Sequence, residues 1–222
     1  VNMKNSSPMC RCGRTSNSQG YCDGSHAKPA KAINRIYSVL FILVFGFTLQ
    51  GVTPSEKKIL NIEKSSIQWK GKSFVKSSEK GKLSFISGEL IFDNKKLNGG
   101  KFIVDMASLI STDLSGMMKT KLEGHLKSAD FFDVNNHPTS TLNFTKVLKT
   151  GKGYQIYADL TIKGITESIL FNATVAGDNL KAELKVDRTK FNVKYGSGRF
   201  YDGLGDNMID DEFTLIVNLQ MS

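Results

Sequence analysis

Three thiols and one imidazole fall close together near the start of the sequence, at Cys10, Cys12, Cys22 and His26. Thiolate and neutral imidazole together make a metal-ligand set, and Cys₃His is one that tetrahedral zinc sites use. Gly13, Ser16, Asn17 and Gly20 lie between the second and third Cys. Such residues favour tight turns, which lets a short loop fold around one centre. After Cys22 the chain has no Cys, so the remainder folds without disulfides and needs no oxidising compartment.

Other residues invite catalytic readings that their surroundings do not support. His125 stands near Glu123 at the end of a predicted helix, and His137 precedes Pro138 in a predicted turn. Neither has a recognisable nucleophile partner, and no Ser or Cys sits in an elbow motif, so both read as structural. Asp187 and Arg188 read as an ion pair at a strand end. Asp202, Asp206, Asp210 and Asp211 make an acidic stretch without EF-hand spacing, which reads as a solvated loop. The formal charge of +9 raises nucleic acid as a partner. Yet Lys101, Lys163, Lys181 and Lys185 are spread opposite the apolar positions of strand-like segments, with no compact basic cluster, so nucleic acid is not expected.

The run Cys22-Asp23-Gly24-Ser25-His26, with Cys10-Arg11-Cys12 upstream, resembles the CDGSH iron–sulfur family. The resemblance implies a 2Fe–2S cluster, with Cys10 and Cys12 on one iron and Cys22 and His26 on the other. Zinc is the alternative for the same ligands. Neutral imidazole in place of a thiolate lowers the negative charge around the iron and raises its reduction potential. It also makes the cluster acid-labile, because protonating His26 removes a ligand.

Between that segment and the rest of the chain lie residues 36–52, without a single charge. As a helix they span roughly 25 Å, a little short of the ~20 residues of a usual membrane span. Lys4, Arg11, Arg14, Lys28, Lys31 and Arg35 precede them, opposed only by Asp23. That bias keeps an N-terminus cytoplasmic and sends the C-terminal part across the membrane. An uncleaved anchor and a cleaved signal both fit. A buried core helix is disfavoured, since the segment is apolar all round.

Beyond Ser65 the hydrophobic period is two. Leu180, Ala182, Leu184 and Val186 alternate with charged neighbours, and Tyr154, Ile156, Ala158, Leu160 and Ile162 do the same. This pattern gives strands with one apolar face. Eight are expected, near 66–76, 81–93, 97–107, 139–149, 153–163, 166–176, 179–188 and 211–221, with a helix over 114–127. In 81–93, Leu83 and Phe85 are out of phase with Leu90 and Phe92, which a bulge near Gly88 reconciles. Many such antiparallel strands close into a barrel or stack as a sandwich.

Several runs carry a second resemblance. They are Ile67-Gln68-Trp69-Lys70-Gly71, the stretch from Gly124 to Asp133 with His137-Pro138 after it, Leu160 to Thr166, and Val186 to Phe191. From about Leu60 to Ser222 the chain resembles the YceI family in family order. The resemblance implies an all-β, lipocalin-like antiparallel barrel holding a polyisoprenoid tail, that of a quinone or a lipid carrier. Eight strands leave room for filling side chains or one slender ligand. The lining residues expected on that reading are Trp69, Phe102, Val104, Leu142, Phe144, Ile156, Phe171 and Leu215.

The chain therefore divides, on expectation, into a CDGSH-type segment (1–31), an anchor or signal (32–53), a linker (54–64) and a barrel (65–222). It reads as a non-catalytic carrier of an isoprenoid or similar amphiphile. The barrel faces the periplasm, anchored in the inner membrane, or is exported whole if the signal is cleaved. The alternative is a redox protein coupling the 2Fe–2S cluster to an isoprenoid quinone. Partners are then the lipid or quinone, the membrane through 36–52 and, optionally, a second copy in a homodimer. If the ligand reading of Cys10, Cys12, Cys22 and His26 holds, the purified full chain absorbs in the visible range and bleaches at mildly acidic pH. A colourless protein with one zinc per chain contradicts it.

Overall fold

The computed structural model describes residues 55–73 and 78–222, with Met9, Arg11 and Ser18 as isolated positions. Contacts separate Val1–Gln50 from Gly51–Ser222, and the strands and helices of the described residues belong to the second unit. Cys10, Cys12, Cys22 and His26 lie outside the described residues, as does 36–52.

Among the described residues, period-two patterning becomes nine antiparallel strands: β1 Glu56–Ile59, β2 Ser66–Gly71, β3 Glu79–Asp93, β4 Lys96–Ser111, β5 Thr139–Thr150, β6 Gly153–Ile162, β7 Ile165–Ala176, β8 Asn179–Asp187 and β9 Glu212–Gln220. Eight of them form a closed ring. It runs β2-β9-β8-β7-β6-β5-β4-β3 and returns to β2 through the β2–β3 pairing. So the sheet is a barrel and not a sandwich, and closure leaves no free edge on the ring. β1 is the ninth strand, absent from the expected count. It pairs with the second half of β3 while β2 pairs with the first. The stretch 54–64, expected as a linker, is thus partly a strand, tied down further by the Leu60–Met221 bridge.

Tight turns set the register. Asn94 and Lys95 both have positive φ between β3 and β4, as do Lys163 and Gly164 between β6 and β7. That is the geometry of two-residue hairpin turns whose twist matches the flanking strands. The phase change in β3 comes two residues before the expected position. Phe85 pairs with Val104 and Ser87 with Ile103, which leaves Ile86 as the extra residue. Ile86 turns outward, and Phe85, Leu90 and Phe92 all face in and are buried.

One helix, α1 Gly116–Lys127, joins β4 to β5, starting two residues later than expected. It has no buried residue, so it lies over the end of the barrel and does not enter it. The opposite end carries β1 and the hairpin turns at 94–95, 151–152 and 177–178. There the bore is packed by Leu60, Leu90, Leu97, Tyr154, Ile156 and Met221.

In mid-barrel four rings touch in a chain. Phe85 meets Phe102 at 6.1 Å, Phe102 meets Phe144 at 5.8 Å, and Phe144 meets Phe171 at 6.0 Å. Glycines make room for two of them. A Cβ on Gly88 would stand 2.5 Å from the Phe102 ring, and one on Gly100 would stand 2.8 Å from the Phe144 ring. Overpacking of that kind costs about 1–3 kcal/mol.

Candidate functional site

Above the phenylalanine chain, toward α1, the bore is open. A cavity of about 200 Å³ is lined by inward residues of β2 to β9 and by α1 and the segment after it. On β9 the lining runs from Phe213 through Leu215 and Val217 to Leu219, roughly 20 Å of strand at ~3.3 Å per residue. The cavity is smaller than the roughly 300–1,000 Å³ of drug-sized pockets. A space so long for its volume is narrow, and its shape suits a thin chain. Inward-facing Leu83, Val104, Leu142, Phe144, Leu215 and Val217 are only partly buried, because each borders this space.

Trp69, Phe102, Val104, Leu142, Phe144, Phe171 and Leu215 all line the cavity. Ile156 does not. It is fully buried in the packed end, paired with Phe171 on β7 and Val147 on β5. Alternation shows that Ile156 faces inward but not how far along the bore the packing extends. Phe131 and Phe132, after α1, also line the cavity. They were not among the expected lining residues, since they lie outside any alternating strand.

The α1 end carries the polar atoms. Trp69 Nε1, Ser140 Oγ and His125 Nε2 are buried without a hydrogen-bond partner, and all three residues line the cavity. Trp69 is held in place by Gly81, whose hypothetical Cβ would fall 2.3 Å from the indole. His125 stacks edge-on against Tyr195 at 4.4 Å and Phe131 at 5.6 Å, so aromatic packing fixes its ring. His137 sits 3.9 Å from Asp133 and packs beneath the Gly164 turn.

Arg188 is the fixed charge of this end, only 2% exposed. It is not paired with Asp187, as the sequence had suggested. Its guanidinium donates to the carbonyls of Asp210, Val193, Tyr195 and Ile209 and lies 3.5 Å from Asp211. Burial pushes its pKa down, against the opposing pull of Asp211, Asp187 and Asp210. Asp187 instead caps the 3-10 turn Arg188–Phe191 by accepting from Thr189, and pairs with Arg199 at 3.0 Å. Burial raises the Asp187 pKa, but the bonds from Thr189 and Arg199 outweigh it and hold the group below its ordinary value.

The acidic stretch also divides. Asp202, Asp206 and Asp210 are exposed, whereas Asp211 is half-buried between Arg188 and Arg199. Lys163, expected on a solvated face, turns back to donate to the carbonyls of Ala129 and Phe131. It thereby ties the β6–β7 turn to the segment after α1. Among the described residues no group of His, Cys, Asp and Glu could hold a metal ion, and no helix is long and apolar enough to cross a membrane.

Residues 59–221 match the model of the YceI-like domain. The chain belongs to that family. It is 32% identical over 116 residues to a UPF0312 protein of Vibrio campbellii, covering 51% of this chain and 58% of that one. It is 29% identical over 128 residues to Protein YceI of Escherichia coli, covering 53% and 65%. The chain spans about half the length of the first curated relatives it matches. Among solved structures, BcnA of Burkholderia cenocepacia is 26% identical with a TM-score of 0.59, covering 72% of this chain and 98% of that one. A polyisoprenoid binding domain from Saccharophagus degradans shares the fold, with 12% identity, a TM-score of 0.50 and coverage of 74% and 98%.

In this YceI-like barrel, Arg188 holds the 188–211 loop against the bore through four carbonyls. Arg188→Met leaves those acceptors without their donor and Asp211 with Arg199 alone, and breaking a buried charged network costs about 3–5 kcal/mol. Urea unfolding followed by circular dichroism reads the change. A loss below about 1 kcal/mol contradicts this role.

Proposed function

We propose that the barrel binds the apolar tail of an isoprenoid or similar amphiphilic lipid in the open half of its bore and carries it without chemical change. The observation that carries this reading is the narrow cavity between the Phe85–Phe102–Phe144–Phe171 chain and α1, with an almost wholly apolar lining. Each CH₂ moved there from water contributes about 0.8 kcal/mol, so a few isoprene units offset the cost of immobilising the tail. The S. degradans domain of the same fold is described as binding a polyisoprenoid, which supports the same ligand class.

The proposal extends to the N-terminal part on sequence grounds alone. Residues 36–52 and the basic residues before them support an inner-membrane anchor with the barrel in the periplasm. Cleavage after that segment would release the same barrel as an exported carrier. The donor set Cys10, Cys12, Cys22 and His26 suits a 2Fe–2S cluster on the cytoplasmic side, or zinc.

Solvent extraction of the purified full chain, with mass spectrometry of the extract, tests the ligand. We expect an isoprenoid tail to co-purify, or to be taken up when supplied in detergent. Leu142→Trp, which fills the cavity from β5, should lower the bound lipid per protein at least about tenfold while the far-ultraviolet circular dichroism stays that of the parent. A chain that neither carries nor takes up such a lipid contradicts the proposal, and so does a folded Leu142→Trp loaded like the parent.

A further inference from the structure

We propose that the cavity selects an uncharged head group bearing an oxygen acceptor, a ketone carbonyl or a hydroxyl, and rejects phosphate-capped tails. The inference rests on the tail-binding reading and adds the chemistry of the other end of the ligand.

Three unpartnered polar atoms point to such a head. Trp69 and Ser140 are 8% and 7% exposed, yet Trp69 Nε1 and Ser140 Oγ have no hydrogen-bond partner, and neither has His125 Nε2. Buried polar groups are normally satisfied, so each such exception asks for a partner. The three come from different walls at one end of the bore. Trp69 is near the end of β2, Ser140 opens β5 opposite Val104, and His125 lies on the covering α1. An indole N–H can only donate, and a hydroxyl can donate or accept. Their common complement is therefore an oxygen acceptor, and a tail lying along the bore brings its terminal oxygen to this end.

The charges nearby decide against an anion. Arg188 is the buried cation of the lining, but its donors are taken by four backbone carbonyls, with Asp211 beside them. At the rim, among the described lining residues, the cavity meets Glu79, Asp210 and Glu212, the last paired with Lys185 at 3.4 Å, against the ammonium of Lys72. A phosphate would enter past the carboxylates of Glu79 and Asp210 and find the Arg188 guanidinium already bonded to carbonyls. A neutral carbonyl or alcohol meets no such repulsion and offers the unpartnered groups the acceptor they lack.

The test uses the lipid-stripped full chain and four probes with one tail: farnesylacetone, farnesol, farnesyl pyrophosphate and the hydrocarbon farnesene. They are offered as an equimolar mixture, and the bound fraction is extracted and quantified by mass spectrometry. We expect the ketone and the alcohol to be retained over both the hydrocarbon and the pyrophosphate by at least about tenfold, the scale of one or two buried hydrogen bonds. Trp69→Phe keeps a ring against Gly81 but removes the donor, and Ser140→Ala removes the hydroxyl. Each should lower the ketone-to-hydrocarbon ratio several-fold. Retention of the pyrophosphate at or above the ketone, or equal retention of all four, overturns the inference and leaves tail binding standing. So does an unchanged ratio in whichever of the two variants folds. Retention of none of them overturns the tail-binding reading as well.

Discussion

The bore of this barrel is filled at one end only, and most of the molecule's character comes from that asymmetry. Closing eight strands fixes the width of the interior before any side chain is chosen. Near β1, Leu60, Leu90, Tyr154, Ile156 and Met221 are packed into that width and buried. Toward α1 the inward residues are of similar size, yet they line a cavity of about 200 Å³. The boundary is the chain of four phenylalanines, whose rings can lie across the bore because Gly88 and Gly100 offer no Cβ to meet them. A stable packed base thus supports an upper half that remains open.

An open half needs a roof that holds without filling it. Here the roof rests on polar ties. Arg188 gathers the carbonyls of Val193, Tyr195, Ile209 and Asp210, and Lys163 reaches those of Ala129 and Phe131. β7 and β8 stay paired only from Asn172–Glu183 to Ala176–Asn179, and the 3-10 turn with buried Phe191 packs against β7. A buried cation such as Arg188 gains little net stability over an apolar core. What these ties do is fix backbone loops around a space that apolar contacts alone would tend to close.

Much of this was legible in the chain. Strict alternation in 153–162 and 179–187 located β6 and β8 to within a residue, since one face is packed and the other solvated. The out-of-phase pair Phe85 and Leu90 announced a bulge, placed two residues late because Gly88 looked like the natural kink. Its real role is to admit the Phe102 ring, a long-range contact no local pattern reports. β1 was missed because Glu-Lys-Lys-Ile has no alternation of its own and is held by pairing with β3. Inward phase also identified Trp69, Val104, Leu142 and Leu215 as facing the bore, but could not separate them from Ile156. Phase gives the direction of a side chain, whereas packing depth depends on every strand at once. The partners of Asp187 and Arg188 were invisible for a related reason: Arg199 and Asp211 come from a loop whose path only the folded barrel defines.

The most direct test of the central claim is to see where a bound tail lies. Nuclear Overhauser effects between a methyl-labelled protein and an added isoprenoid would show it. The account predicts contacts from the methyl groups of Val104, Leu142, Leu215 and Val217, which line the cavity, and none from the exposed Leu148 and Leu170. Contacts confined to those outer leucines, with the four inner residues silent, would contradict it.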